Sequence, residues 1–207
     1  MIGQIQTKSE AGKWISSICR ENQINNIVEI GTWNGMGSTK CVFDAIENTN
    51  KKLFSLEINK EMHETAKLFY KDKSEVELIL GKITDELIDL NNLNEKFFLD
   101  YSFEEKNSWR EKDKINLLNC PNVLNKLPTK IDFLILDGGE FTSLYEFNLL
   151  KDKSSIIFLD DVNQPCIKNY LVREELLKTA KLIHENLNDR NGYSIFKYEN
   201  SDSNNFI

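Results

Sequence analysis

A doubly wound α/β fold is predicted, with a mostly parallel sheet of seven strands closed by a C-terminal antiparallel hairpin. Short β-branched runs alternate with amphipathic helical stretches. Most of those runs end in Gly, Asp or Glu, and the last two flank a dense turn cluster.

Taken in order, Ala11–Glu21 carries Trp14, Ile15, Ile18 and Cys19 on one face and reads as a helix. Ile27–Gly31, Leu53–Glu57 and Val76–Leu80 read as three buried strands. Ser38–Glu47 and Lys60–Tyr70 between them are helical, with Met62, Ala66, Phe69 and Tyr70 spaced by three and four. Ile131–Asp137 and Ser155–Asp160 continue the strand series around a helix over Phe141–Leu150, and Lys168–Thr179 is a further helix. The βαβ alternation makes these five strands parallel, with helices on both faces. Lys181–Asn186 and Tyr193–Tyr198, joined through Asn188-Asp189-Arg190-Asn191-Gly192, form a hairpin along one sheet edge. The segment from about Asp85 to Lys130 is far longer than the dozen or so residues one crossover helix needs, so it reads as an insertion. Its run Phe97-Phe98-Leu99-Asp100-Tyr101-Ser102-Phe103 is too aromatic for a disordered linker.

The 207 residues suit a single domain, 1–207, elaborated by that insertion. No apolar stretch approaches the roughly 20 residues of a membrane span, and Met1–Lys8 resembles neither a signal nor a transit peptide, so a cytoplasmic protein is expected. With 33 acidic against 26 basic side chains the net charge is -7, which argues against general affinity for nucleic acid. Cys19, Cys41, Cys120 and Cys166 are widely spaced, without a C-x-x-C pair, and read as free thiols, buried or half-buried.

Two features point to a nucleoside-bearing ligand. The first strand runs into Glu29-Ile30-Gly31-Thr32-Trp33-Asn34-Gly35-Met36-Gly37-Ser38 and then a helix, which brings bare backbone and helix N–H donors to the sheet's carboxyl edge. The second strand closes on Glu57, where a carboxylate can accept both hydroxyls of a ribose. A tight turn without a ligand and a solvated strand-end acid are the plain alternatives.

These residues resemble the class I S-adenosylmethionine-dependent methyltransferases, a Rossmann-like family whose first motif places an acid two residues before glycine, as in Glu29-Ile30-Gly31. Trp33 stands where the commonest form of the motif has its middle glycine. That looser form is similar to the catechol-type and macrolide-sugar O-methyltransferases. The resemblance covers most of residues 10 to 199 and implies cofactor contacts from Glu29, Gly31, Thr32, Trp33, Gly35, Ser38, Glu57, Ile58 and Asp137. Ile83 and Thr84, after the third strand, would flank the adenine.

Asp137-Gly138-Gly139-Glu140 and Asp160-Asp161 set several carboxylates at neighbouring strand tips, where mutual repulsion requires a counter-charge. A divalent cation, Mg²⁺ by preference, would supply it. The resemblance implies Asp137, Asp160 and Asp161 as metal ligands. Glu140 stands where the related pattern has histidine and is a candidate base, a further ligand or a helix cap; Asp160 could likewise cap the segment after it. Trp109 and Arg110 offer a stacking face and a forked donor for an acceptor if the insertion is a substrate lid. An added helical layer, or a homodimer contact through Phe97, Phe98 and Phe103, is the other use of that segment. The two histidines, His63 and His184, lie away from the strand tips and read as structural.

The reading is a metal-assisted O-methyltransferase of a small hydroxylated acceptor, with a sugar or nucleotide-linked sugar of bacterial surface glycan synthesis preferred. The look of Leu136-Asp137-Gly138-Gly139-Glu140-Phe141-Thr142 is similar to methyltransferases of capsule clusters and of polysaccharide biosynthesis. The alternatives are a nicotinamide-dependent oxidoreductase, which leaves Asp160-Asp161 unexplained, and a non-catalytic binding protein on the same fold.

Overall fold

The computed structural model describes residues 4–164 and 166–197. Helix α1 (Glu10–Arg20) starts where the Ser9 side chain accepts from the Gly12 N–H, with Glu10 in its first turn and Arg20 in its last, each suited to the dipole end it occupies. Strands β1 (Asn26–Ile30), β2 (Lys52–Glu57) and β3 (Val76–Leu80) alternate with α2 (Ser38–Ile46) and α3 (Lys60–Tyr70). The Asn59 side chain caps α3. Next come α4 (Phe103–Leu118), β4 (Ile131–Leu136), α5 (Ser143–Leu150), β5 (Ser154–Asp160), α6 (Tyr170–Thr179), β6 (Lys181–Asn186) and β7 (Tyr193–Lys197). The expected Tyr198 end of the last strand, and Met1–Gly3, lie outside the described residues.

The sheet order is β3-β2-β1-β4-β5-β7-β6, parallel from β3 through β5 and antiparallel thereafter. Reversal of strand order on either side of β1 creates a crevice beyond the carboxyl ends of β1 and β4, the place where ligands bind in open α/β sheets. Ile15, Ile18, Cys41, Val42 and Ile46 of α1 and α2 pack on one face with Ile27 and Phe133. On the other, Phe147, Leu150, Val172 and Leu176 of α5 and α6 pack with Val28, Leu134 and Ile157. Cys19, Cys41 and Cys120 are buried and Cys166 half-buried, all free thiols. No helix among the described residues is long and apolar enough to cross a membrane.

The segment before β4 is ordered around α4, which begins with a capping box between Ser102 and Glu105. Its aromatic content has a packing cause. Phe97 is buried with Ile88, Leu90, Phe141 and Ile167, and Phe98 and Phe103 lie against the same cluster. The final helix starts two residues later than expected, because Asn169 is its N-cap and Lys168 belongs to the preceding loop. That displacement determines what Lys168 does.

Candidate active site

The turn after β1 is made by close approach of two strand ends. Gly31 has φ +102°, and a Cβ there would lie 2.2 Å from the Asp137 carbonyl oxygen, so no side chain fits. The Gly31 and Thr32 N–H groups both donate to the Leu56 carbonyl, at 2.9 and 3.0 Å. Trp33 also sits in the left-handed region, at φ 51°, which costs a non-glycine residue about 1–2 kcal/mol. Its N–H donates to Glu57 Oε2 at 2.6 Å, a charge-assisted bond that offsets the strain. Beneath the turn, Glu29 is fully buried and its Oε2 accepts from the Thr39 and Ser55 hydroxyls. Burial pushes its carboxyl up to about 7. Glu29 ties β1 to α2 and β2 and does not line the cavity, so the direct cofactor contact expected of it is corrected to support of the turn. Gly35 is corrected likewise: its carbonyl accepts the Tyr70 hydroxyl at 2.5 Å, and it too lies off the cavity.

A cavity of about 480 Å³ opens along the carboxyl ends of the strands. At one end it is lined by Gly31, Thr32, Trp33, Ser38, Glu57 and Ile58, with Ile83 from the loop after β3. Glu57 is buried; Oε1 accepts from the Asn59 N–H at 2.8 Å, and burial raises its pKa against the pull of its backbone donors. Thr84, expected beside Ile83, is not in the lining; its hydroxyl oxygen accepts from the Glu86 N–H at 3.0 Å and shapes the loop instead.

The other end is lined by the strand-tip acids Asp137 and Asp161, with Asp160 buried outside the lining. Ligand atoms of Asp137, Asp160 and Asp161 lie within 4.8 Å of one another, so the expected convergence is present. What offsets their repulsion is already in the chain. Lys168 Nζ donates to Asp137 Oδ1 at 2.6 Å and to Asp161 Oδ2 at 2.9 Å. Arg190 Nη2 donates to Asp160 Oδ2 at 2.8 Å. Asp137 Oδ2 also accepts from Ser38 at 3.3 Å, and Asp161 Oδ1 from Asn191 at 3.0 Å. Burial alone would lower the Lys168 pKa, but the charges of Asp137, Asp161 and Asp160 together raise it above the usual lysine range. For Asp160, burial and the neighbouring Asp137 charge push the carboxyl well up. Asp161 takes a left-handed φ of 56°, backbone strain that aims its side chain at the cluster.

These residues do not fit the expected divalent ion. Mg²⁺ needs oxygens at about 2.0–2.1 Å in octahedral array. One oxygen each of Asp137 and Asp161 is already bonded to the Lys168 ammonium, which sets a positive charge between them where the ion would have to sit.

Glu140, the expected base, is not in the cavity lining. Its Oε1 accepts from Lys106 Nζ at 3.2 Å and from the Ile167 N–H at 3.1 Å, which clamps α4 to the loop before α6. Trp109 and Arg110 are not brought to the cavity either. Trp109 meets Tyr101 edge-on at 4.8 Å, and Arg110 Nε donates to the Ile88 carbonyl at 2.7 Å. The helix that carries them does reach the cavity, one turn further on, through Asp113 and Asn116. Burial and the Glu140 charge push Asp113 up to about 6. Glu146 of α5, buried at the cavity wall with Oε2 lacking a hydrogen-bond partner among the described residues, is pushed by burial up to about 7. Lys168, Arg190, Asp113 and Glu146 carry no motif, and sequence reasoning missed all four. The one local signal was Lys168 following the Asp160-Asp161 pair by a single short loop.

No protein-family model matches the sequence, and no curated protein matches it either. Solved structures do. The methyltransferase PaMTH1 of Podospora anserina, bound to S-adenosylhomocysteine (SAH), superposes with a TM-score of 0.59 at 15% identity over 91% of this chain and 77% of that one. An O-methyltransferase from Bacillus cereus in complex with SAH gives a TM-score of 0.60 at 15% identity, covering 91% and 80%. The O-methyltransferase TomG of Streptomyces achromogenes, involved in tomaymycin synthesis and bound to S-adenosylmethionine (SAM), gives 0.56 at 16% identity, covering 90% and 78%. The fold is therefore the Rossmann-like fold of SAM-dependent O-methyltransferases.

Proposed function

We propose that the protein is a SAM-dependent O-methyltransferase of a small hydroxylated acceptor, with a sugar or nucleotide-linked sugar as the preferred class. The observation that carries this reading is a single cavity with two chemically distinct ends at the switch point of the sheet. At the glycine end, Glu57 suits ribose hydroxyls, and Ile58 with Ile83 suits the adenine faces. Where the two ends meet, the start of α2 at Ser38 suits the carboxylate of the amino-acid portion, and Asp137, on the acceptor side, its ammonium. These donors and acceptors fit SAM group by group, and known proteins of this fold bind SAM or SAH.

SAM, when bound, supplies an electrophilic methyl group on sulfur. The rest falls to the chain. Lys168, Asp113 and Asn116 present polar groups to hydroxyls of the acceptor, which supports a sugar over an apolar ring. Asp113 and Glu146, pushed to about 6 and about 7, are poised to take up the acceptor's proton near neutral pH. The divalent ion implied by the resemblance is left out, because Lys168 occupies its place. Incubation with methyl-labelled SAM and a panel of sugars and sugar nucleotides should transfer label to one of them. Thermal stabilisation by NAD and none by SAM or SAH would replace this reading with the oxidoreductase one.

A further inference from the structure

The acidic cluster at the tips of β4 and β5 has the ligand set of a cation site, yet two of its three carboxylates are bridged by a side chain. Two of the three N–H donors of the Lys168 ammonium are committed, one to Asp137 and one to Asp161. The placement is built in. Asn169, wholly buried, spans the carbonyls of Leu136 and Asp160 at 2.8 and 2.6 Å, which pins the residue next to Lys168 across the ends of both strands. On the far side Arg190 pairs with Asp160, so all three carboxylates already have cationic partners in the chain. Lys168 nevertheless lines the cavity beside Asp137 and Asp161, where a ligand oxygen can meet its third N–H.

We propose that Lys168 is the resident cation of the acceptor site: its ammonium stands in for a divalent ion, methyl transfer proceeds without metal, and its remaining N–H holds the acceptor oxygen. This rests on the methyltransferase reading above. The transfer balances without a metal. The acceptor oxygen forms its bond to the methyl carbon, the electron pair of the broken carbon–sulfur bond stays on sulfur to leave SAH, and the hydroxyl proton passes to the Asp113 or Glu146 carboxylate. Lys168 fixes the oxygen and offsets its developing negative charge, the role a metal plays elsewhere.

The corollary is that removing the ammonium should convert the cluster into a metal site, since three hard carboxylates would remain within 4.8 Å of one another with Arg190 alone to balance them. The test is a Mn²⁺ titration followed by electron paramagnetic resonance, on wild type, Lys168→Met and Lys168→Arg, with SAH affinity measured by calorimetry on the same samples. Wild type and Lys168→Arg should take up no Mn²⁺ saturably, whereas Lys168→Met should bind it at least about tenfold more tightly. Saturable uptake by wild type, or a folded Lys168→Met that gains less than this, would overturn the proposal. Should Lys168→Met not fold, the wild-type titration decides alone: refusal of Mn²⁺ supports the inference and uptake defeats it. Failure of SAH to bind wild type would instead defeat the methyltransferase reading, so the two failures are distinguishable.

Discussion

The two ends of the cavity are built in opposite ways. The glycine end is made by backbone: Gly31, Thr32 and Trp33 come from one short turn, and their N–H groups are spent on Leu56 and Glu57 of the adjacent strand. The acceptor end is made by side chains brought from α4, the tip of β4, α5, the loop before α6 and the β6–β7 turn, as Asp113, Asp137, Glu146, Lys168 and Arg190. A site made from one turn has its geometry fixed by local sterics, whereas a site assembled from five segments can change its chemistry by single substitutions.

The glycine end should therefore break hardest. Gly31→Ala puts a Cβ against the Asp137 carbonyl in a left-handed conformation, and should cost roughly 2–4 kcal/mol of stability and most SAH affinity. Urea unfolding and calorimetry check both; an unchanged midpoint would mean that the turn yields.

The buried Glu29 under the same turn gives a pH signature. Its folded-state pKa of about 7 lies above the ordinary 4.5, so the native state holds a proton that the unfolded chain has released. Stability should fall as pH rises from about 4.5 through about 7, with Glu146 contributing in the same direction. Glu29→Gln should flatten this slope and gain on the order of 2 kcal/mol over wild type at pH 8, while differing little at pH 4.5. Parallel melting-temperature profiles for the two proteins would show that Glu29 is not the cause.

At the acceptor end, Arg190→Ala strands the buried Asp160 carboxyl and should cost about 1–3 kcal/mol of stability while leaving SAH affinity within about twofold. A large loss of SAH binding would merge the two ends and defeat the comparison. The smallest effect is expected from Trp109→Ala, which removes an aromatic edge contact outside the cavity and should cost under about 1 kcal/mol with no change in SAH binding.

The same contrast decides what could be read from the sequence. The strands were legible because β-branched runs ending in Gly, Asp or Glu have one economical use in a parallel sheet, and Glu57 and Asp137 follow as their tips. Lys168 and Arg190 were not legible. Each is a lone cation in a loop, and only the sheet order, which seats β7 beside β5, brings the β6–β7 turn to the Asp160-Asp161 pair. On α4, the recognition chemistry of Trp109 and Arg110 is visible in the sequence, but helix position governs access, and Asp113 and Asn116 are the residues that reach the cavity. The aromatic content of the Phe97 run marks it as ordered, whereas its use as a small core against Phe141 and Ile167 depends on the tertiary arrangement.

Isothermal titration calorimetry of SAH against wild type and Glu57→Ala tests the central claim most directly. One saturable site in wild type, weakened in the variant by about 1.5–3 kcal/mol, is the expected result, because Glu57 presents a buried carboxylate to the ligand's hydroxyls. No SAH binding to wild type, or equal affinity in the two proteins, would contradict it.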